Sequence, residues 1–317
     1  RIPLPWDTLS PEGEILNRPI VAHSLKRLFE AGFGSEKVAV GLFGNSIIMK
    51  TINIAQMKPE ELKHQLYWEA EQYIPFTIDE VNLDIVVLGN KGANGGNMDV
   101  LLVAAKKDYI QSLRSVVEDA ALEVDVMDCQ AFALGNAFEF NYRHVLDMNQ
   151  TNVINAIIDL GAGSTKISAV EGDKTVFARE LRQSGLGCTR LLSERLKLTL
   201  DDAEVKKVSH PDDPAAAPII KEFQHHLVEE IAKILDLCID EGRNRTLQGV
   251  YVCGGGARMP GLFAALETRL STTIHTLNPI KNVAGSGRKM NAQAIRELSH
   301  LGAVAIGLAL RKTGDSQ

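Results

Sequence analysis

Apolar positions along the chain recur with two periods, the two-residue period of strands and the longer period of amphipathic helices. Strand patterns lie at residues 38–43, 46–54, 84–88, 99–105, 124–127, 153–159, 164–171, 174–180 and 250–252. Helical patterns lie at residues 20–31, 59–72, 108–121, 131–140, 184–197, 201–208, 219–241 and 300–310. Strands and helices are therefore interspersed along the whole chain, which predicts an α/β protein.

The segment IIDLGAGSTKIS at residues 157–168 joins an apolar strand to a returning strand through a turn of small residues. Asp159 stands at the mouth of the first strand, and Gly161, Ala162 and Gly163 form the turn. Glycines let backbone N–H groups approach phosphate oxygens, and a carboxylate can hold Mg²⁺ through water. The segment indicates a magnesium–phosphate site, and a hairpin turn without any ligand is the alternative interpretation.

A second cluster of glycines follows in VYVCGGGARMPG at residues 250–261. An apolar strand precedes Gly254, Gly255 and Gly256, and Pro260 with Gly261 indicates the start of a helix. Three consecutive glycines leave bare backbone, against which the flat ring of an adenine base can lie. An ordinary strand-to-helix connection of an α/β domain explains the same sequence.

The two glycine clusters, in this order, resemble the second half of the actin-like ATPase fold shared by actin, heat-shock chaperone ATPases, sugar kinases and FtsA. The resemblance implies a phosphate motif formed by Asp159, Gly161, Gly163, Ser164 and Thr165, with Asp159 holding Mg²⁺ through water. It also implies an adenosine motif, to which Gly254, Gly255, Gly256 and Arg258 belong.

A third element fits the same resemblance. Glu204 and Lys207 are three residues apart, so they share one face of a predicted helix. In the family, a Glu and a Lys at this spacing reach the ribose and the base. A solvated ion pair is the alternative interpretation. The small-residue helix at 300–310, with Gly302 and Gly307, and the segment 124–138 resemble the two connecting helices of the fold, in which glycines permit close helix contact.

Segment 38–127 narrows the resemblance to the PilM proteins of type IV pilus assembly, chiefly through EAEQYIPF at residues 69–76. The expected fold is a two-lobed actin-like ATPase fold with an inserted small subdomain of the FtsA/PilM type. The expected parts are a first-lobe core (1–37 and 128–150, rejoined by a C-terminal helix at 291–317), the insert (38–127), a second-lobe core (151–200 and 247–290) and a helical subdomain (201–246).

Actin-like ATPases carry another glycine hairpin near their N-terminus, which grips the phosphates from the opposite side. Residues 1–36 contain no strand followed by a D-x-G turn. We therefore expect the first hairpin of the fold to be missing from this chain. Without this hairpin, ATP binding is a weaker prediction for this chain. ATP hydrolysis is a weaker prediction still.

Composition and charge restrict the function further. The 317 residues are 45% hydrophobic and 23% charged, which is typical of a globular protein with real cores. The formal net charge of −6 argues against a nucleic-acid surface. No segment reaches the roughly 20 apolar residues that span a bilayer. Four scattered cysteines without C-x-x-C spacing indicate reduced, buried thiols rather than zinc ligands.

The resemblance implies an ATP-binding adaptor of the pilus inner-membrane platform, with Mg²⁺ as cofactor and weak or absent hydrolysis. It implies a cytoplasmic protein at the inner face of the inner membrane, which contacts the membrane only through partners. The expected partners are the cytoplasmic N-terminal peptide of PilN, other platform proteins and assembly ATPases, and self-association remains open. An FtsA-like division adaptor and a small-molecule kinase of the same superfamily are the alternatives.

Candidate contacts for the PilN peptide are apolar or amphipathic side chains near one helix end and the following loop. Pro75 biases the preceding residue away from helical geometry, so we expect the neighbouring side chains to be presented on a loop. These candidates are Tyr67, Trp68, Tyr73, Ile74 and Phe76. Packing of the same side chains inside the domain is the alternative interpretation.

Overall fold

A computed structural model of the chain describes residues 2–10, 13–30, 35–90, 96–146, 151–240, 245–283, 292–312 and 314. The chain folds into two compact units. The first unit comprises Arg1–Gln130 and Arg311–Gln317, and the second comprises Ala131–Leu310. The two units are described separately below.

The first unit contains three helices and five strands among its described residues. The helices are α1 (Arg18–Glu30), α2 (Pro59–Glu69) and α3 (Lys107–Asp119). The strands are β1 (Lys37–Leu42), β2 (Ile47–Ala55), β3 (Val81–Asn90), β4 (Asn97–Lys106) and β5 (Glu123–Cys129). Short 3₁₀ turns at Ala70–Gln72 and Ile78–Glu80 connect α2 to β3.

The strands of the first unit form two sheets. β1 pairs with β5 in parallel, whereas β2, β4 and β3 form an antiparallel sheet with β4 in the centre. β1 and β2 follow one another closely along the chain, yet they lie in different sheets. β3 and β4 pair in antiparallel fashion, and residues 91–95 between them lie outside the described residues.

The central strand of the antiparallel sheet carries the core of the insert. Every residue of β4 from Met98 to Ala105 is buried. α2 packs on this sheet through Leu62 and Leu66, which are 1% and 2% exposed. The apolar period of α2 therefore faces the sheet, as expected for an amphipathic helix.

The second unit contains seven helices and five strands among its described residues. The helices are α4 (Gln130–Tyr142), α5 (Gly185–Leu196), α6 (Leu200–Ser209), α7 (Ala217–Asp240), α8 (Leu262–Leu270), α9 (Ala292–Leu301) and α10 (Ala303–Ala309). The strands are β6 (Val153–Leu160), β7 (Thr165–Glu171), β8 (Lys174–Leu181), β9 (Thr246–Cys253) and β10 (Ile274–Thr276). Short 3₁₀ turns lie at Arg143–Val145 and Gly255–Arg258.

These five strands form one sheet in the order β10-β9-β6-β7-β8. β6, β7 and β8 form an antiparallel meander, while β9 and β10 add in parallel next to β6. Both faces of β6 are covered, since Ile158 belongs to the core on one face and Ile157 to the core on the other. Burial on both faces explains why the sequence of this strand is a continuous apolar run rather than an alternation of apolar and polar residues.

The helices of the second unit agree closely with the sequence pattern. Ser184 caps α5, because its hydroxyl accepts a hydrogen bond of 3.2 Å from the backbone N–H of Gly187. The hydroxyl of Thr199 caps α6 in the same way, at 3.1 Å from the N–H of Asp202. The apolar stripe predicted on α7 faces the core, with Leu227, Ile231, Leu235 and Cys238 buried and Ile234 partly buried.

The single C-terminal helix expected from the sequence is two helices in the structure. α9 ends before Gly302 and α10 begins after it, while residues 291, 313 and 315–317 of the expected helix lie outside the described residues. A Cβ at Gly302 would lie 2.5 Å from Leu298 Cδ1 and would press on its own preceding turn. Gly302 therefore marks a helix break rather than a contact between helices.

Gly307 allows the close contact between helices that was predicted from the sequence. A Cβ at Gly307 would lie only 1.7 Å from the carbonyl oxygen of Ala133 in α4. The backbones of α10 and α4 therefore touch directly, and no larger residue fits at Gly307 without a shift of one helix.

Candidate nucleotide site

The turn between β6 and β7 forms the first wall of the candidate site. Leu160 pairs with Thr165, and the N–H of Gly161 donates to the carbonyl of Ser164 at 3.1 Å, which closes the turn. The start of α5 is hydrogen-bonded to this turn, because the N–H of Gly185 donates to the carbonyl of Gly161 at 2.9 Å. The predicted hairpin is thus present, and the first N–H groups of α5, at Gly185 and Leu186, are hydrogen-bonded to its carbonyls.

Asp159 lies at the base of this turn in a largely buried position. Its side chain is 14% exposed, and its Oδ2 lies 3.9 Å from Nζ of Lys166, whose side chain is 10% exposed. The thiol of Cys253 lies 3.9 Å from Oδ1. Burial raises the pKa of Asp159 above its ordinary value, while the ammonium of Lys166 and the thiol of Cys253 lower it in part.

The second glycine cluster meets the first at Asp159. β9 runs beside β6 with Cys253 opposite Asp159, so the chain after Cys253 emerges next to the phosphate hairpin. A Cβ at Gly254 would lie 2.5 Å from both Oδ1 of Asp159 and the carbonyl oxygen of Leu160. A Cβ at Gly256 would lie 2.9 Å from Cβ of Leu160. The two distant glycine clusters are therefore neighbours in space.

The C-terminal end of α9 also contacts this turn. The N–H of Gly254 donates to the carbonyl of His300 at 2.8 Å, and a Cβ at Gly255 would lie 3.7 Å from Cδ2 of Leu301. Gly255 itself is exposed, and so is Arg258 at the end of the 3₁₀ turn. The face of this turn that remains open to ligand is thus bare backbone next to an exposed guanidinium.

The two hydroxyls of the predicted phosphate motif differ in their surroundings. Thr165 is fully buried, and its hydroxyl donates to the carbonyl of Gln183 at 2.6 Å. This bond connects β7 to the segment before α5, so Thr165 has a structural partner within the protein. Ser164 is 4% exposed, and its hydroxyl has no hydrogen-bond partner within the described parts of the chain. A buried hydroxyl without a partner costs free energy unless a ligand satisfies it.

Glu204 and Lys207 share one face of α6, as predicted, and bind one another at 2.7 Å. Lys207 Nζ also donates to the carbonyl of Gly185 at 2.9 Å and to the hydroxyl of Thr189 at 2.7 Å. The side chains of Lys207 and Glu204 are 14% and 34% exposed. The pair is therefore not a freely solvated one, because it joins α6 to the start of α5, immediately beside the phosphate hairpin.

The candidate partner residues lie in the first unit and fall into different environments. Tyr67 on α2 is 48% exposed, whereas Ile74 is 5% exposed and belongs to the core. Tyr73 and Phe76 are half-buried, and the ammonium groups of Lys50 and Lys106 lie 5.7 Å and 4.6 Å from their respective ring centroids. Trp68 lies on α2, but its side chain is outside the described residues.

Ile74 therefore corrects the expectation that this loop presents all its apolar side chains. The N–H of Ile74 donates to the carbonyl of Ala70 at 3.0 Å, so the chain completes a tight turn that carries the side chain inward. Pro75 ends the helix as predicted, but the turn before it directs Ile74 into the core. Internal packing, the alternative considered from sequence, holds for Ile74.

Lys166, Thr189 and Cys253 were not among the predicted site residues. Lys166 could have been found by counting, because a turn of four residues after Leu160 places residue 166 opposite residue 159 in an antiparallel hairpin. Thr189 carries no sequence signal of its own, since its role depends on the packing of α5 against α6.

The antiparallel meander, the added parallel strands and the joined glycine turns define an actin-like fold. The model of the family described as type IV pilus assembly protein PilM matches residues 1–313, so the chain belongs to this family. The expected family and fold are thereby confirmed.

Relatives of known structure or curated function agree with this assignment. A solved structure titled PilM-PilN type IV pilus biogenesis complex superposes with a TM-score of 0.85 at 26% identity, covering 99% of this chain and 90% of that one. The cell division protein FtsA of Bacillus subtilis is 22% identical over 84% of this chain and 70% of its own length. FtsA of Streptococcus pneumoniae is 24% identical over 51% of this chain and 39% of its own length.

Two further observations concern the surroundings of the site. Within the described ranges, no helix has both the length and the apolar character needed to cross a bilayer. All four cysteines are buried, and none of them forms a disulfide bond.

Proposed function

We propose that the second unit binds ATP where the two glycine clusters meet. The observation that carries this proposal is the contact of Gly254 with Asp159, since a Cβ at Gly254 would lie 2.5 Å from Oδ1. Bare backbone of two turns on both sides of one carboxylate brings open main chain and a negative metal-binding group together. This combination suits a triphosphate and its counter-ion.

The residues around the hairpin fit the phosphate end of such a ligand. The unpartnered hydroxyl of Ser164 would donate to a phosphate oxygen, and Asp159 would hold Mg²⁺ through water. Across the described residues, no group of three or more His, Cys, Asp or Glu side chains is placed to hold a metal ion. Phosphate oxygens and water would therefore supply most of the ligands of Mg²⁺, which is its usual preference.

The adenosine end would lie along Gly254–Gly256, with Arg258 exposed at the rim and Glu204 with Lys207 on the side of α6. Lys207 already contacts the carbonyl of Gly185 at 2.9 Å, so α6 and the phosphate hairpin share one hydrogen-bond network. A ribose hydroxyl would extend this network at Glu204, whose carboxylate remains one-third exposed. We propose binding of ATP and assign no residue to its hydrolysis.

We further propose that the chain is an adaptor of the type IV pilus assembly platform on the cytoplasmic side of the inner membrane. Membership of the PilM family supports this role, and the similar solved structure is described as a complex with PilN. The proposed partner of this chain is the cytoplasmic N-terminal peptide of a PilN protein. Tyr67, Trp68, Tyr73 and Phe76 in the insert at 38–127 are the proposed contacts, while Ile74 is not.

Calorimetric titration tests the nucleotide part of the proposal. ATP with Mg²⁺ is expected to bind saturably at one site per chain. Inorganic triphosphate is the matched probe, because it carries the phosphates but not the adenosine. It is expected to bind at least about tenfold more weakly, which corresponds to about 1.4 kcal/mol. No saturable heat with ATP, or equal affinity for both probes, would contradict the proposed site.

Replacement of Tyr67 by alanine is expected to weaken binding of the PilN peptide by about tenfold without lowering Tm. Tyr67 is 48% exposed, so its loss removes an aromatic anchor but no core packing. Fluorescence anisotropy of a labelled peptide would measure the affinity. Val208→Ala is the matched control, because Val208 is 65% exposed and lies in the second unit. Unchanged peptide affinity in Tyr67→Ala and in Phe76→Asp would remove this surface from the proposal.

A further inference from the structure

Lys207 on α6 is the centre of a hydrogen-bond network that reaches the phosphate hairpin. Its Nζ donates to the carbonyl of Gly185 at 2.9 Å, to the hydroxyl of Thr189 at 2.7 Å and to Oε2 of Glu204 at 2.7 Å. A lysine ammonium has three N–H donors, so these three bonds use all of them. Contact between this ammonium and a nucleotide would therefore require one of the three bonds to break.

The surroundings of Lys207 make such a break costly. Its side chain is 14% exposed, and Thr189 is fully buried. A buried donor that loses its partner costs the full free energy of its desolvation, and the cost is larger for a charged group. The hydroxyl of Thr189 also lies within hydrogen-bond distance of Oε2 of Glu204, so one residue of α5 contacts both members of the ion pair. We therefore expect the ammonium to keep its protein partners when a ligand binds.

Gly185 connects this network to the phosphate hairpin. Its carbonyl accepts the bond from Lys207, while its own N–H donates to the carbonyl of Gly161 at 2.9 Å. The next N–H, that of Leu186, donates to the carbonyl of Ala162, also at 2.9 Å. A Cβ at Gly185 would lie 3.4 Å from the carbonyl oxygen of Gly161 and 3.8 Å from Nζ of Lys207. The hairpin is thus bonded to the first turn of α5, and that turn is bonded to Lys207.

The carboxylate of Glu204 is more open than the ammonium of Lys207. Its bonds to Lys207 and Thr189 both fall on Oε2, and its side chain is 34% exposed. A carboxylate oxygen accepts hydrogen bonds, and a ribose hydroxyl can donate one. The two members of the ion pair are therefore suited to different tasks, because the carboxylate can face a ligand while the ammonium is bonded to the protein.

We propose that Lys207 is a positioning residue of the nucleotide site, which holds the phosphate hairpin through Gly185 and does not contact the nucleotide. The proposal rests on ATP binding at the hairpin, as proposed above. It departs from the family resemblance, which implies that both Glu204 and Lys207 reach the adenosine. Loss of the Lys207 ammonium then weakens the phosphate part of the site and leaves the adenosine part intact.

The test compares the affinities of three probes, which are ATP, inorganic triphosphate and adenosine, by competition against a fluorescent ATP analogue in Mg²⁺ buffer. Lys207→Met is expected to weaken the binding of ATP and of triphosphate by the same factor, about tenfold, because both depend on the hairpin. Its affinity for adenosine is expected to stay within about twofold of wild type. All affinities are measured well below the Tm of each variant, so that only folded protein is compared.

Lys206→Met is the matched control for this variant. Lys206 precedes Lys207 on α6, but its Nζ bonds Asp213 at 2.7 Å, in the segment that follows the helix. All three of its affinities are expected to stay within about twofold of wild type. Lys207→Gln is the second neutral variant if Lys207→Met does not fold.

The pattern across the probes decides between the possible roles of Lys207. Weaker binding of ATP and adenosine with unchanged binding of triphosphate would show that Lys207 contacts the adenosine, and would overturn the positioning role alone. Unchanged affinities in both neutral variants, or equal losses for all three probes, would also overturn it. Absence of ATP binding in the wild type would overturn the proposed function, and this role with it.

Discussion

Replacement of Gly254 by alanine is expected to abolish ATP binding and to lower the free energy of unfolding by about 2 kcal/mol or more. Gly254 has φ of 87° and ψ of 169°, a region that is essentially restricted to glycine. The added Cβ would also lie 2.5 Å from Oδ1 of Asp159 and from the carbonyl oxygen of Leu160. Backbone strain and overpacking therefore both destabilise the Gly254→Ala variant. Relief of either one requires the two glycine clusters to move apart.

Gly163→Ala is the matched control for this variant. Gly163 lies in the phosphate turn, but a Cβ there would meet no atom within 4 Å. Its unfolding free energy in urea is expected to stay within about 0.5 kcal/mol of wild type. Equal stability of Gly254→Ala and Gly163→Ala, with intact ATP binding in both, would show that contact between the clusters is not needed for the site.

Replacement of Asp159 by asparagine is expected to raise the stability of the protein at neutral pH. Burial raises the pKa of Asp159, and the attraction of Lys166 and the hydrogen bond from Cys253 offset this only in part. The folded protein therefore holds the proton more tightly than the unfolded chain does. Stability falls as pH rises from the ordinary pKa of an aspartate, about 3.9, through the raised pKa of the folded state.

An asparagine side chain cannot ionise, so the Asp159→Asn variant would avoid this loss. Its Tm is expected to exceed that of wild type at neutral pH, and the difference is expected to disappear in acid. The same variant is expected to lose any preference for Mg²⁺ in ATP binding, because the carboxylate that holds the metal is absent. Scanning calorimetry across pH measures the first effect and isothermal titration the second. A lower Tm at neutral pH would show that the ion pair of Asp159 with Lys166 outweighs the cost of burying the carboxylate.

The sequence predicted the two glycine turns of the second unit well because each turn depends on a short local segment. The hairpin at 157–168 and the turn at Gly254–Gly256 were visible as glycines after apolar strands, and their order along the chain identified the fold. Their contact in space follows from the parallel pairing of β6 with β9, which no single segment encodes. The resemblance to a known fold supplied that pairing.

Other features depend on tertiary packing and were missed for that reason. β1 and β2 are consecutive strands, but their partners β5 and β4 come from later in the chain, so their sheets could not be assigned locally. Ile74 precedes a proline in a polar neighbourhood, yet one tight turn buries it. The hydrogen bond from the Thr165 hydroxyl to the carbonyl of Gln183 likewise depends on packing that the motif does not encode.

Lys166, by contrast, could have been identified from the sequence alone, but it was not predicted. Its place opposite Asp159 follows from the length of the turn and the period of the strands alone. That it is a buried cation beside Asp159 becomes evident only with the burial of both side chains. Register counting across a glycine hairpin would therefore identify such residues before a structure is known.

A crystal structure of the chain with a non-hydrolysable ATP analogue tests the central claim most directly. We expect the triphosphate to lie against the turn at Gly161–Ser164, and the adenosine to lie along Gly254–Gly256. Density for the analogue on any other surface, with neither glycine cluster in contact with it, would contradict the claim.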